Sequence, residues 1–244
     1  MALAGLANEA AAKSGYRSPL APNKPHFEAK AKRVIFMFMQ GGPSHLETFD
    51  HKPELAANHG KTSSSAVLGK GGNGRLLGPQ FDFSPQGSSG LMMSELFPHL
   101  ANHADDLCLL NGMFTDSPAH PQASVMLHTG STNFVRPSLG SWVVYGLGTS
   151  NQDLPGFVTI NPVGGAGGAQ NYGSAFLPAA YQGTRINGGS SALANIHNKH
   201  LSASGQRKQL DLVQGMNRDL LNRVQKHNEL EGVIESYELA FRMQ

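Results

Sequence analysis

A single cysteine, Cys108, is all the thiol this chain has, which excludes an internal disulfide framework and a Cys-based zinc finger. No apolar run reaches the roughly 18 residues needed to cross a bilayer. Charge is scarce at 15% of residues, and 19 Lys and Arg nearly balance 17 Asp and Glu for a net +2. With no Lys/Arg block, the chain is not patterned as a generic binder of nucleic acid or membrane surfaces. Internal repeats are missing too, which excludes solenoids and propellers.

What is present is 244 residues, long enough to bury a sizeable core in one large domain or two small ones. The 29 glycines and 14 prolines exceed average shares of about 7% and about 5% and predict much ordered loop. Both ends read as cut. Met1 to Ala12 is small and apolar like the tail of a secretory signal, so residues 1–32 read as the remnant of an export signal followed by a linker. At the other end, Leu210, Val213, Asn217, Leu220, Leu221 and Val224, then Val233, Ile234, Tyr237 and Phe241, keep a helical period. That helix stops at Gln244 with no Gly, Asn or Pro to close it, a pattern expected when more chain follows.

Between the ends, three apolar runs suggest strands. Arg33 to Met39 is unbroken and halts at Gln40-Gly41-Gly42-Pro43. Leu107 to Leu110 halts at Asn111-Gly112, and Pro155 to Ile160 is the third. Unbroken short runs fit strands buried on both faces of a parallel sheet. Helices are expected over 94–103 (with Pro98 a warning), over 122–128 closed by Thr129-Gly130, and over 138–147 with Ser138 as N-cap and Gly148 as the closing glycine. Residues 51–90 read as a surface excursion and 161–200 as loop. The alternation implies an α/β fold with a mostly parallel central sheet flanked by helices.

Several motifs fail on context. Gly69 to Gly74 spells G-x-G-x-x-G, but no strand precedes it and Arg75-Leu76-Leu77-Gly78-Pro79 cannot be the helix that should follow. Gly60-Lys61-Thr62 lacks the first glycine of a P-loop, and neither G-x-S-x-G nor H-E-x-x-H occurs. More informative are the segments after the first two runs, Gln40 to Asp50 and Asn111 to His120. Each carries His, carboxylate and hydroxyl groups where α/β sheets place ligands, a composition suited to a divalent metal with N/O ligands. The competing reading makes Ser44, Asp50 and Asp116 helix caps and leaves the histidines on the surface.

The same residues carry a resemblance. Met39-Gln40-Gly41-Gly42-Pro43-Ser44-His45-Leu46-Glu47-Thr48-Phe49-Asp50, followed by Lys52-Pro53, resembles the opening of the bacterial DUF1501 family. Residues 136–148 (RPSLGSWVVYGLG), 154–158 (LPGFV) and 235–244 (ESYELAFRMQ) agree with it. The resemblance implies an exported protein, periplasmic or in the cell envelope, directed by a twin-arginine signal and nearly twice as long as this chain. It also implies the alkaline phosphatase and sulfatase superfamily, with 33–244 as the N-terminal half of such a domain. In that superfamily a metal-binding Asp ends the first strand and a nucleophile opens a helix running to Thr-Gly. His120 to Gly130 (HPQASVMLHTG) is similar to that helix, which puts His120 at the nucleophile, Ser124 where an activating Arg is usual, and Gln40 near the first metal ligand.

The expected chemistry is hydrolysis of sulfate or phosphate esters on a small molecule or glycan, with a divalent metal such as Zn, Ca or Mn. His120 is the candidate nucleophile or ligand, Ser117 the fallback nucleophile with His120 as its base, and His45 and Asp50 the further metal ligands. The alternative is a catalytically inactive protein of the same fold that binds glycans or envelope partners. Histidine can accept a phosphoryl group covalently, so replacement of the usual nucleophile leaves both open.

Overall fold

The structure is a computed structural model that describes residues 18–63, 74–162, 164–189, 192, 193, 196, 198–224 and 228–244. Residues up to 17, within the stretch read as an export-signal remnant, and all but the last glycine of the Gly69–Gly74 motif lie outside the described residues. The chain divides into two compact units, a small one of Ile35–Phe114 and a large one of Met1–Val34 with Thr115–Gln244. Helices and three two-stranded sheets make it a mixed α/β chain. Among the described residues no helix is long and apolar enough to cross a membrane.

In the small unit, a 3-10 turn His45–Glu47 leads to helix α1 (Pro53–Ala57), with Pro53 in the first turn where its missing N–H costs nothing. Strands β1 (Thr62–Ser63) and β2 (Gly74–Arg75) pair antiparallel. A second antiparallel pair joins β3 (Phe83–Gln86) to β4 (Leu91–Ser94) through Gly87-Ser88-Ser89-Gly90, in register Phe83 to Ser94 and Gln86 to Leu91. Both loop glycines have positive φ, +62° and +67°. So the expected excursion over 51–90 contains a helix and strands, and the helix expected over 94–103 shrinks to α2 (Pro98–Ala101), opened by Pro98.

The loop is clasped by Asp105. Its carboxylate accepts the backbone N–H of Ser88 at 3.0 Å and of Ser89 at 2.8 Å, and the Ser88 hydroxyl at 2.9 Å. Those donors, the Ser88 and Ser89 amides first, hold the carboxyl at about 2. A Cβ on Gly87 would meet Asp105 Oδ1 at 2.5 Å, so the loop needs glycine there for space as well as for φ. Ser94 N–H donates to Thr48 O at 3.0 Å, and Phe49 stacks on Phe97 with ring centroids 5.1 Å apart. Met93 and Ala104 are the unit's buried apolar residues.

In the large unit, α3 (His120–Thr129) ends on Gly130, whose φ is +73° and whose N–H donates to Met126 O. Helix α4 (Leu139–Leu147) ends on Gly148 in the same manner, as its sequence predicts. Ser138 stands at the N-cap without capping; its hydroxyl instead pairs at 3.0 Å with that of Ser141, which donates to Gly173 O. Strand β5 (Val158–Ile160) pairs in parallel with β6 (Thr184–Ile186). Helices α5 (Ala203–Val224) and α6 (Asn228–Arg242) pack together at the chain's end. Gln214, wholly buried between them, donates to Ile234 O at 2.8 Å and to Glu238 at 3.1 Å. Burial raises the Glu238 pKa, but the bidentate Arg207 guanidinium and the Gln214 amide outweigh it and hold the carboxyl below its usual range.

The core of this unit is Leu20, Val144 and Tyr181, with Phe157, Leu177, Ala180 and Leu239 packed against it. Gly140 makes room for Phe157, since a Cβ there would meet the ring at 2.5 Å. Three of the stretches that carry the family resemblance thus meet here, through Val144, Phe157 and Leu239. Their side chains serve packing.

The central-sheet expectation is corrected. Among the described residues, parallel pairing is confined to β5 and β6. Arg33 to Met39 forms no strand, and Val34, Ile35 and Met37 are exposed at 68%, 84% and 84%. Leu107 to Leu110 forms none either, with Leu110 exposed. An extended run becomes a strand only when its backbone forms a hydrogen-bonded ladder with a second extended segment, and the ladders among the described residues are those of β1 with β2, β3 with β4 and β5 with β6. The third run does, because Thr184–Ile186 supplies the ladder.

Candidate functional site

The polar groups after the first apolar run gather around Asp50 in the small unit. Gly41 and Gly42 both have positive φ and turn the chain after Gln40, which is itself exposed. The 3-10 turn at His45 follows, and its carbonyl accepts the Asp50 N–H at 2.9 Å. That turn brings His45 Nε2 to 3.9 Å from Asp50 Oδ2, while Lys52 Nζ reaches Oδ1 at 2.8 Å. The Asn111 side chain also donates to Asp50. The Lys52 hydrogen bond, helped by the charges of Lys52 and His45 and by Asn111, holds the Asp50 carboxyl below its ordinary value.

Beside this cluster lies a shallow cleft of about 390 Å³, whose walls include Phe49, Asp50, His51, Leu109 and Asn111. The segments that follow the first and second apolar runs therefore do meet, through Asp50 and Asn111, although neither run is a strand. His51 stacks on Phe83 with centroids 5.0 Å apart, which fixes one wall. The competing cap assignment fails for Ser44, which makes no side-chain cap bond to its turn.

His120 and Ser117 belong to the large unit. His120 opens α3 and is exposed, with Pro121 behind it in the first turn. Ser117 Oγ accepts the Ala119 N–H at 3.3 Å, a local turn that leads the chain into the helix. Ser124 is buried on the same helix. Burial lowers the pKa of His128, four residues further on.

Whether these donors suit a divalent cation is answerable from their chemistry. The small unit offers an imidazole and a carboxylate, His45 and Asp50, but the Lys52 ammonium already neutralises that carboxylate. A cation would have to displace it. Among the described residues, no group of three or more His, Cys, Asp or Glu side chains is placed to hold a metal ion. Lys52 and Asn111 are members of the site that are not metal-ligand types: Asn111 opens the second singled-out segment, and Lys52 lies two residues beyond the end of the first.

No curated protein and no solved structure matches the chain. The profile of the family described as "Protein of unknown function (DUF1501)" matches residues 31–244. That span takes in the Asp50 cluster, α3 and the elements that build the core around Val144 and Phe157, and the chain belongs to the DUF1501 family.

Proposed function

We propose that this chain is the N-terminal part of an exported protein of sulfatase or phosphatase type, which hydrolyses sulfate or phosphate esters. The observation that carries the reading is α3, which opens at His120 and closes at Thr129-Gly130, the span that the resemblance assigns to the nucleophile-bearing helix. In this reading a ring nitrogen of His120 attacks phosphorus or sulfur, the ester oxygen leaves as the alcohol after protonation, and water then cleaves the N–P or N–S bond. Ser117 is the second choice of nucleophile. The divalent metal (Zn, Ca or Mn) that the resemblance implies would have to displace Lys52 to reach Asp50, and no step of this scheme is routed through it.

The test is release of nitrophenol from p-nitrophenyl phosphate and p-nitrophenyl sulfate, with metal analysis of the purified protein. His120→Ala and Asp50→Asn should each lower turnover by about 100-fold or more. Turnover that is absent with every added metal, or unchanged in both variants, rejects hydrolysis at these residues. Fractionation of the producing cell tests export, with the protein expected outside the cytoplasm.

One observation favours a second reading, a catalytically inactive binding protein for glycans or envelope partners. Lys52 occupies the Asp50 carboxylate at 2.8 Å, which leaves a cation and an imidazole beside a shallow, partly aromatic cleft. Calorimetric binding of a sulfated glycan without turnover, abolished by Lys52→Ala, would select it.

A further inference from the structure

The segment Ser18–Asn23 lies upstream of the family match, in a stretch whose prolines suggest a linker, yet it holds the centre of the large unit. Leu20 is 1% exposed and packs with Val144 and Tyr181. The backbone around it is read on both sides. Leu20 O accepts Thr149 N–H at 2.8 Å, Asn23 N–H donates to Leu147 O at 2.9 Å, and the Tyr181 hydroxyl donates to Pro19 O at 3.1 Å. Gly148 is shaped to the segment as well. A Cβ there would overlap the Ala21 carbonyl oxygen, and its φ of +68° with ψ of −162° is a conformation reserved for glycine.

After Asn23 the character changes. Residues 24–35 are all exposed, so the segment is anchored by its own contacts and not by those of its neighbours. The segment itself is a turn, closed by the Ala21 N–H on Ser18 O at 2.9 Å, which presents Leu20 as a buried apolar anchor beside backbone hydrogen bonds to the rest of the unit.

We propose that Ser18–Asn23 is a peptide ligand carried in cis: the end of α4, Tyr181 and the turn at Thr149 form a seat for a Ser-Pro-Leu-Ala turn, and the chain fills it with its own arm. The large unit thus includes core residues upstream of the family match that starts at residue 31. The inference is independent of the hydrolase reading, since none of its residues belongs to the Asp50 cluster or to α3.

The experiment cuts the arm without removing it. A site for a specific protease is inserted between Ala29 and Lys30 in the exposed stretch, the folded protein is cleaved, and the products are run on gel filtration with mass spectrometry of each peak. The N-terminal fragment should co-elute with the remainder in equal amount and separate only in denaturant. In the cleaved Leu20→Glu variant it should separate without denaturant. Should that variant not fold, Tyr181→Phe serves, with release of the fragment by dilution expected to be at least several-fold faster than in the parent. Separation of the fragment from the cleaved parent overturns the proposal. Equal retention in the parent and in Leu20→Glu overturns the assignment of Leu20 as the anchor.

Discussion

The two units are held together by different physics. The large unit has an apolar centre to which distant parts of the chain contribute, Leu20, Val144, Phe157, Tyr181 and Leu239. In the small unit the buried apolar residues are Met93 and Ala104, and directional contacts do more: the Asp105 clasp on its hairpin loop, Thr48 against Ser94, and the stacked rings of Phe49 and Phe97. Apolar burial is insensitive to pH and tolerant of small shifts. Hydrogen bonds to a carboxylate depend on its charge and on donor geometry. The difference teaches that one chain can hold one unit by volume and the other by charge placement, so the two should fail under different perturbations.

Leu20→Ala should give the largest effect, about 2–5 kcal/mol of destabilisation confined to the large unit, because the site would lose a buried side chain and keep a cavity. Chemical denaturation followed by the fluorescence of Trp142, which lies on α4, would register it. A loss within 0.5 kcal/mol would mean that the core does not depend on the arm. Next comes Gly87→Ala in the small unit, at about 1–2 kcal/mol for the left-handed φ alone, with the clash against Asp105 adding to it. Hydrogen exchange of the Ser88 and Ser89 amides should quicken while amides of α4 and α6 keep their protection.

The smallest effect is the most diagnostic. The Asp105 carboxyl ordinarily titrates at 3.8 and is held at about 2 in the fold. Between those values the unfolded chain takes up a proton that the folded chain does not, so stability falls as pH drops through that window and is complete above it. The protection of the Ser88 and Ser89 amides, taken relative to the intrinsic exchange rate at each pH, should accordingly fall on acidification from pH 4 toward pH 2. Asp105→Asn should remove that dependence from the hairpin and leave the large unit's core unaffected. An unchanged pH profile in Asp105→Asn would mean that another group governs the acid limb.

The parts of this fold that could be read in the sequence are those whose cause is local. Gly130 and Gly148 end helices because their positive φ terminates the hydrogen-bond ladder, and Pro98 starts a helix because a missing N–H is harmless in the first turn. Apolar runs are different. Val34 to Met39 and Val158 to Ile160 look equally suited to a strand, and only the second forms one, since a strand's ladder is set by a segment far along the chain. Leu20 escaped notice for a related reason: one leucine among prolines has no period, and its burial depends on residues more than a hundred positions away. Within the candidate site, Asp50 and Asn111 stand in the segments that follow two apolar runs, but neither run is a strand, so their meeting does not come from a shared sheet edge. The grip of Lys52 on Asp50 depends on how the turn after His45 aims two side chains.

Gln214 bears on how the two terminal helices find their alignment. Its amide reads one carbonyl, that of Ile234, and one carboxylate, Glu238, one turn further along α6. Sliding α5 by a single turn would part this buried amide from both acceptors, at about 1–3 kcal/mol. The side chain is therefore a phase lock. It discriminates one register of the pair from its near neighbours, a selection that greasy surfaces of similar shape cannot make by themselves.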